Sequence, residues 1–412
     1  MNNKTQYLYT SIILLTLVTS FFFKIDITNG GSSRDLFYHW NYIIALKNDL
    51  EILFERNLFF IDIGAIPKHF PLHHVMVSRF NFLTNDVNNY LNFYFIFSLF
   101  LPILFYFCID NRFPEIEKNK KIFISSIIYF LPHYQASSIW GNSHITSLFF
   151  FLGSIYFLNN LEKVKGKNIN LDIFFVAFFM ACAAYTRQYY AIFFPYLFLF
   201  LSIPGLFIAY TNPELITGFD AKLTDFKSST LIVLSIIFVY LTPFFISNFK
   251  FNLSETNKIL KNKNSLLIVI ILSIIFFYFT LDFNYKSYVG GGMYFKISKM
   301  LLEGHLLFFI ASFFSLLICF YYFKERLEDI ILITIITSSF SYGWMIFHKY
   351  FEPMLIFCIF FLIKKDFIKK IFNFNHHIIF IYFLMYWTVY FLYSKQFIKK
   401  INLLLPPIGS IF

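Results

Sequence analysis

The pair Asp35 and His39 is the strongest candidate for proton-transfer chemistry in this sequence. The two residues lie four positions apart, after the small residues Gly30 to Ser33, which predict a helix start capped by Ser33 or Asp35. On a helix this spacing places both side chains on one face. A carboxylate can then accept the proton of a sugar hydroxyl as a general base, with His39 contacting the sugar or the acceptor. The simpler alternative is a capping aspartate followed by an interfacial histidine.

Arg187 is the strongest candidate for binding an anion. It interrupts a long apolar stretch and is followed by Gln188, an amide suited to contact a sugar or an acceptor. Arginine presents a planar set of donors that matches phosphate oxygens, and a charge at membrane depth is costly unless it has a function. If the chain instead turns in water at this point, Arg187 lies at the tip of a hairpin.

A second phosphate-binding candidate is the polar turn that holds His348, Lys349 and Glu352 between two apolar blocks. His348 and Lys349 are suited to meet a phosphate, whereas Glu352 is suited to hold either of them or to contact the acceptor. Ion pairing within the turn is the structural alternative.

Trp140 is the candidate for sugar stacking. It lies in the polar segment 133–144, together with Asn142 and His144. Aromatic and amide groups there could stack on a sugar and bond its hydroxyls, or they could form part of an aromatic belt at the membrane surface.

The three histidines His69, His73 and His74 lie in a proline-containing entry to an apolar segment. Their spacing lacks the HExxH pattern, so we expect them to anchor the chain at the lipid headgroups, and we predict no metal site. No definite cofactor is indicated, and a divalent cation, Mg²⁺ or Mn²⁺, stays open.

Composition determines the elements that position these residues. The chain has 412 residues, of which 58% are hydrophobic and only 14% are charged, with a net charge of +11. A water-soluble globule normally has about one quarter charged residues, so that class is excluded. The positive charge is typical of cytoplasmic loops facing anionic lipid, and no nucleic-acid-binding motif is present. The four cysteines lie in apolar blocks without CxxC spacing and predict packing residues.

The apolar blocks predict an all-α, polytopic integral membrane protein with about 11–13 transmembrane helices in a single domain, residues 1–412. A first external loop, 24–89, carries short interfacial helices and Asp35, and a second external loop covers 282–304. The block 7–23 lacks a cleavage site, so we predict a retained first span rather than a removed signal peptide. The candidate spans are 7–23, 90–109, 122–140, 144–158, 171–186, 189–210, 230–247, 265–281, 305–323, 330–347, 350–363 and 377–393.

Lysine-rich loops predict which segments face the cytoplasm. By the positive-inside rule, 159–170, 248–264 and 364–376 are cytoplasmic, which puts both large polar loops outside. Three candidate spans separate the first two of these loops, an odd number. Either 189–210 is broken at Pro204-Gly205 or one of the three does not cross.

The order of these motifs resembles the GT-C superfamily of membrane glycosyltransferases, which use polyprenyl-phosphate-linked sugars. Within it the chain is most similar to the α-1,2-glucosyltransferase family that caps the dolichol-linked oligosaccharide. The segments that carry the resemblance are Asp35-Leu36-Phe37-Tyr38-His39, Arg187-Gln188-Tyr189-Tyr190 and His348-Lys349-Tyr350. The resemblance implies that Asp35 is the general base and that Arg187 and His348 lie near the donor phosphate; Lys349 is added because of its charge.

The sequence hypothesis is therefore a membrane hexosyltransferase that uses a polyprenyl-phosphate sugar donor and a lipid-linked or glycan acceptor. We expect it in a bacterial inner membrane, among membrane lipids, with the active site on the periplasmic face and no nucleic-acid partner. Two alternatives stay open: an O-antigen-type polymerase or ligase using undecaprenyl-pyrophosphate glycans, and a non-catalytic flippase or transporter of lipid-linked sugars.

Overall fold

The described residues of this computed structural model form helices and no strands, which confirms the all-α prediction for that part of the chain. The structure describes residues 3–28, 31–49, 72–163, 169–193, 226–248, 254, 261–285, 290–323, 326–341, 346–363, 368–369, 372 and 374–394. His69, Pro204-Gly205 and most of the predicted span 189–210 lie outside these ranges.

The chain folds as two compact units. The first comprises Met1–Gln188 and Phe380–Phe412, and the second comprises Tyr189–Ile379. The sequence predicts one transmembrane domain over the same length, and that assignment stays a prediction.

The helices of the first unit are, in chain order, α1 (Asn3–Phe22), α2 (Gly31–Asn48), α3 (Leu72–Ser78), α4 (Asn81–Thr84), α5 (Val87–Arg112), α6 (Lys118–Ser126), α7 (Pro132–Ile139), α8 (His144–Lys163) and α9 (Ile169–Thr186). Those of the second unit are α10 (Phe226–Ser247), α11 (Lys263–Thr280), α12 (Gly292–Leu302), α13 (Leu306–Phe323), α14 (Leu327–Ser341) and α15 (Met354–Leu362). The last helix of the described residues, α16, covers His376–Tyr393.

The long apolar helices indicate a membrane-embedded protein. Five of the described helices are long and apolar enough to cross a membrane, namely residues Lys4–Phe22, Val87–Arg112, Phe226–Ser247, Lys263–Thr280 and Leu306–Phe323. Two shorter apolar helices are Asn170–Thr186 and His376–Leu392. The larger number of crossings, and the side on which each loop lies, stay predictions.

The predicted span 122–140 is wrong as a continuous helix. After α6 the chain makes a 3₁₀ turn over Ile127–Phe130, and α7 begins only at Pro132. Proline disfavours helical geometry in the residue before it, and Leu131 is extended with φ −73° and ψ 117°. Likewise, the predicted span 350–363 contains only the nine-residue helix α15, about 14 Å long at 1.5 Å per residue.

The predicted cap of α2 is also wrong. The helix begins at Gly31, so Ser33 and Asp35 lie inside it. The buried Asp26 carboxylate accepts a hydrogen bond from the Ser33 amide at 2.7 Å, and the Thr28 hydroxyl accepts one from the Ser32 amide at 2.9 Å. These two side chains therefore satisfy amides of the first turn that have no partner within the helix.

Packing in each unit is organised around one long helix. In the first unit α8 packs along α5 and α9, while α2 packs on α3. In the second unit α10 is buried along most of its length and packs on α13 and α14, whereas α11 has no buried residue. Among the described residues, α10 therefore forms the core of the second unit, and α11 lies at its surface.

Tyrosine side chains replace backbone hydrogen bonds where α5 contains Pro102. Proline has no amide hydrogen, so the carbonyl of Ser98, four residues earlier, loses its helical donor. The hydroxyl of Tyr134, from α7, donates to that carbonyl at 2.5 Å, and the hydroxyl of Tyr129 donates to the Leu99 carbonyl at 2.8 Å. The proline-containing helix α5 is thereby bonded to the segment that follows it.

Removing the Tyr134 hydroxyl should destabilise the protein because the buried Ser98 carbonyl then loses its hydrogen-bond donor. We expect Tyr134→Phe to lower the free energy of unfolding by about 1–3 kcal/mol. In a Pro102→Ala background the loss should be much smaller, since the new amide at 102 can bond the Ser98 carbonyl. Unfolding in detergent measured for both backgrounds checks this, and an equal loss in the two would contradict it.

Candidate functional site

Asp35 lies on α2, half-buried, one helical turn before His39. The predicted helical face that joins these two residues is therefore present in the structure. Arg34, the neighbour of Asp35, is exposed, and its guanidinium donates to the hydroxyl of Tyr38 at 3.1 and 3.2 Å.

His39 connects two segments that are far apart in the sequence. Its ring nitrogen Nδ1 lies 2.7 Å from Nε2 of His74 on α3, and its Nε2 lies 3.3 Å from a terminal nitrogen of Arg187. His39 and Arg187 are separated by 148 residues, and both are almost fully buried. The structure thus brings together the predicted base segment and the predicted phosphate-binding arginine.

Arg187 directly follows α9, and its amide still donates to the carbonyl of Ala183 at 2.9 Å. The guanidinium is only 2% exposed, so the end of this apolar helix carries a cation inside the protein. Gln188, buried at 8% exposure, begins the 3₁₀ turn Gln188–Ile192.

His73, next to His74 on α3, forms a second buried network. Its Nδ1 lies 2.9 Å from the hydroxyl of Thr146, and its Nε2 lies 3.2 Å from the hydroxyl of Tyr90. The Tyr94 hydroxyl lies 3.2 Å from that of Thr146. His73 and His74 are both 0% exposed, so the prediction that they anchor the chain at the headgroups is wrong. Burial and the nearby Arg187 charge lower the pKa of His73 to about 3.

Trp140 lies in the turn that joins α7 to α8, beside this network. The Tyr90 hydroxyl donates to the Gly141 carbonyl, and a Cβ atom at Gly141 would come within 2.5 Å of the Tyr90 ring. Gly141 has φ +60°, so a glycine is required here for conformation and for space. Within the described residues, the buried Trp140 indole nitrogen and both amide atoms of Asn142 have no hydrogen-bond partner. The predicted polar segment 133–144 is mainly helical, and only 140–143 form the turn.

In the second unit His348 is part of a hydrogen-bond chain. Its Nε2 accepts from the amide of Met293 at 2.9 Å, and its Nδ1 lies 3.2 Å from the hydroxyl of Tyr240. Tyr240 donates in turn to a carboxylate oxygen of Glu352 at 2.6 Å. Burial and the nearby Lys296 charge lower the pKa of His348 to about 3. His348 is therefore neutral, and both of its ring nitrogens are engaged within the protein.

The three glycines Gly290-Gly291-Gly292, in the predicted second external loop, lie next to the hydrogen-bond chain of His348. Gly290 has φ +85°, and a Cβ atom there would come within 2.6 Å of the Ile346 carbonyl oxygen. The amide of Gly291 donates to that same carbonyl at 2.9 Å. The turn before α12 is thus held close to the segment that leads into His348.

Lys349 supplies positive charge beside His348. Its ammonium lies 5.1 Å from the Phe347 ring centre and 5.9 Å from that of Tyr350, and the residue is half-buried. These cation–π contacts are compatible with a charge that also meets an anion.

The described side chains do not fit a divalent cation. Among them, no group of three or more histidine, cysteine, aspartate or glutamate residues is arranged to hold a metal ion. The facing nitrogens of His39 and His74 engage each other, and Mg²⁺ and Mn²⁺ prefer oxygen ligands.

Sequence reasoning missed the partners that complete both clusters. These are His73, His74, Tyr90, Tyr94, Thr146, Tyr240 and Met293. Two adjacent histidines at the entry to an apolar segment were a usable signal, because histidines placed there need buried partners. The individual tyrosines gave no such signal, because the chain contains 28 tyrosines.

Comparisons of the chain with protein-family models, with curated proteins and with solved structures found no match.

The lowered pKa of His73 makes a prediction about stability. His73 takes up a proton near pH 6.5 in the unfolded chain but only near pH 3 in the folded protein. Between these values the unfolded state binds more protons, so lowering the pH from 6.5 destabilises the fold by up to about 1.4 kcal/mol per pH unit. Above pH 6.5 this group contributes no pH dependence.

The test is unfolding in detergent between pH 7.5 and 5. His73→Gln should show a shallower loss of stability with falling pH than the wild type. His377→Gln, which changes an exposed histidine, should keep the wild-type slope. Parallel profiles for the wild type and His73→Gln would contradict the prediction.

Proposed function

We propose that this protein is a membrane glycosyltransferase that moves one sugar from a polyprenyl-phosphate donor to a glycan or lipid acceptor. One observation carries the proposal: Arg187 contacts His39 at 3.3 Å, on the helix that also bears Asp35. A carboxylate and a guanidinium are the two groups that this transfer needs, one for the acceptor proton and one for the leaving phosphate.

In the proposed reaction Asp35 acts as the general base. The acceptor oxygen forms a bond to the anomeric carbon of the sugar while the bond from that carbon to the phosphate oxygen breaks. The hydroxyl proton passes to the Asp35 carboxylate. The half-buried position of Asp35 suits this role, because an acceptor can reach a side chain that is not fully enclosed.

Arg187 stabilises the leaving polyprenyl phosphate in this proposal. A fixed cation that is 2% exposed is shielded from water, and charge contacts are stronger in such surroundings. The low exposure also requires the cluster around Arg187 to open when the donor binds. Gln188 and Trp140 are the proposed contacts to the sugar or acceptor.

Within the second unit, taken by itself, the nitrogens of His348 are already bonded to Met293 and Tyr240. Lys349 is therefore the residue of that segment that we propose can contact a phosphate. Glu352, bonded by Tyr240, holds the turn that presents Lys349. The proposed location is a bacterial inner membrane. The lysine-rich loops predict that the reaction takes place on its periplasmic face.

The test uses purified protein in nanodiscs with a panel of radiolabelled polyprenyl-phosphate sugars. The readout is release of free polyprenyl phosphate. We expect release by the wild type and a loss of about 100-fold or more for Asp35→Asn, since a general base contributes at least that factor. Asp49→Asn, an exposed aspartate just after the same helix, is the matched control and should keep its activity.

Turnover that survives in Asp35→Asn would contradict the assignment of the base. Release from pyrophosphate-linked glycans alone would favour the polymerase or ligase. Uptake of lipid-linked sugar into vesicles without bond cleavage would favour the transporter.

A further inference from the structure

The contact between Arg187 and His39 determines which nitrogen of His39 bears its proton. A guanidinium has donors and no acceptor, so the His39 Nε2 at 3.3 Å must accept and cannot carry a hydrogen. The proton of the neutral ring therefore lies on Nδ1.

The same logic extends to His74. The protonated Nδ1 of His39 donates to Nε2 of His74 at 2.7 Å, so that nitrogen accepts and the His74 proton lies on its own Nδ1. The two rings are 5.0 Å apart between centres, and the His74 ring also lies 4.7 Å from that of Tyr42. His74 is thus held in place by packing on one side and by a hydrogen bond on the other.

We propose that His39 and His74 are positioning residues that orient the Arg187 guanidinium, with both histidines in the form protonated at Nδ1. His39 accepts from the guanidinium through its Nε2 lone pair, and His74 accepts the Nδ1 proton of His39, which keeps that proton away from Nε2. The catalytic consequence rests on the proposed function, since it requires Arg187 to meet the donor phosphate. The predicted role of His39 as a sugar contact is replaced, because both ring nitrogens already have partners.

The neighbouring His73 provides an internal control. The Tyr90 hydroxyl donates to the Gly141 carbonyl, so the Tyr90 oxygen accepts from His73 and places that proton on Nε2. Nδ1 of His73 then accepts from the Thr146 hydroxyl. Adjacent histidines on one helix are therefore assigned opposite tautomers.

The first experiment is ¹⁵N NMR of the protein in nanodiscs with ring-labelled histidine. The chain has ten histidines, so signals are assigned by comparing His39→Gln, His73→Gln and His74→Gln with the wild type. We expect a protonated Nδ1 at His39 and His74 and a protonated Nε2 at His73. In Arg187→Met the constraint on His39 is removed, and its signals should change while those of His73 keep their protonation pattern. A protonated Nε2 on His39 in the wild type would overturn the proposal.

The second experiment compares two substitutions of His39. One keeps a polar atom at the Nε2 position, and the other keeps one at the Nδ1 position. The amide oxygen of His39→Gln can occupy the Nε2 position and accept from Arg187, whereas the shorter His39→Asn reaches only the Nδ1 position toward His74. We expect His39→Gln to keep kcat within a few-fold and His39→Asn to lose about 100-fold, the effect of a small misplacement of a catalytic group. Equal losses in the two variants would overturn the positioning role.

The outcomes separate the two proposals. The expected tautomers without any release of polyprenyl phosphate would retain the positioning chain and refute the glycosyltransferase. Release of polyprenyl phosphate with the opposite tautomers would support the glycosyltransferase and refute the positioning chain. The NMR measurement uses the wild-type protein, so it stands even if a variant fails to fold.

Discussion

The buried cation of Arg187 is the constraint on which the first unit depends. A charge at the end of an apolar helix is expensive unless the groups around it accept its hydrogen bonds and add no further positive charge. Two of the surrounding histidines contribute to these conditions. His39 accepts from the guanidinium, and the pKa of His73 is lowered so far that its ring is neutral at physiological pH. The arrangement therefore places one fixed cation among neutral polar rings.

A related principle shapes the rest of the fold. In apolar surroundings a backbone group without a partner is costly, so side chains supply the bonds that the helices cannot. Tyr134 does so for the carbonyl released by Pro102, Asp26 does so for the first turn of α2, and His348 does so for the amide of Met293. Each of these bonds connects a helix to a residue outside that helix. The polar residues of this chain thus serve as connections between helices as well as candidate sites.

The sequence predicted the class of fold and part of the first cluster. Composition alone required helices in a membrane, and the four-residue spacing of Asp35 and His39 placed them on one face. The contact of His39 with Arg187 was not predictable, because it depends on how α2, α3 and α9 pack across 148 residues. The cap of α2 was misassigned because Asp26 reaches forward seven residues, beyond the usual capping distance. The helix break before Pro132 was not predicted, because the apolar composition of 122–140 is that of a continuous span and the local effect of proline was not considered.

The proposed function requires the Arg187 guanidinium to bind a lipid phosphate. Native mass spectrometry of the protein with undecaprenyl phosphate tests it directly, with undecaprenol as the ligand that lacks the phosphate. We expect a phosphate-dependent adduct for the wild type and for Arg34→Gln, which changes an exposed arginine, and its loss in Arg187→Gln. An equal adduct in Arg187→Gln, or equal binding of undecaprenol, would contradict the account.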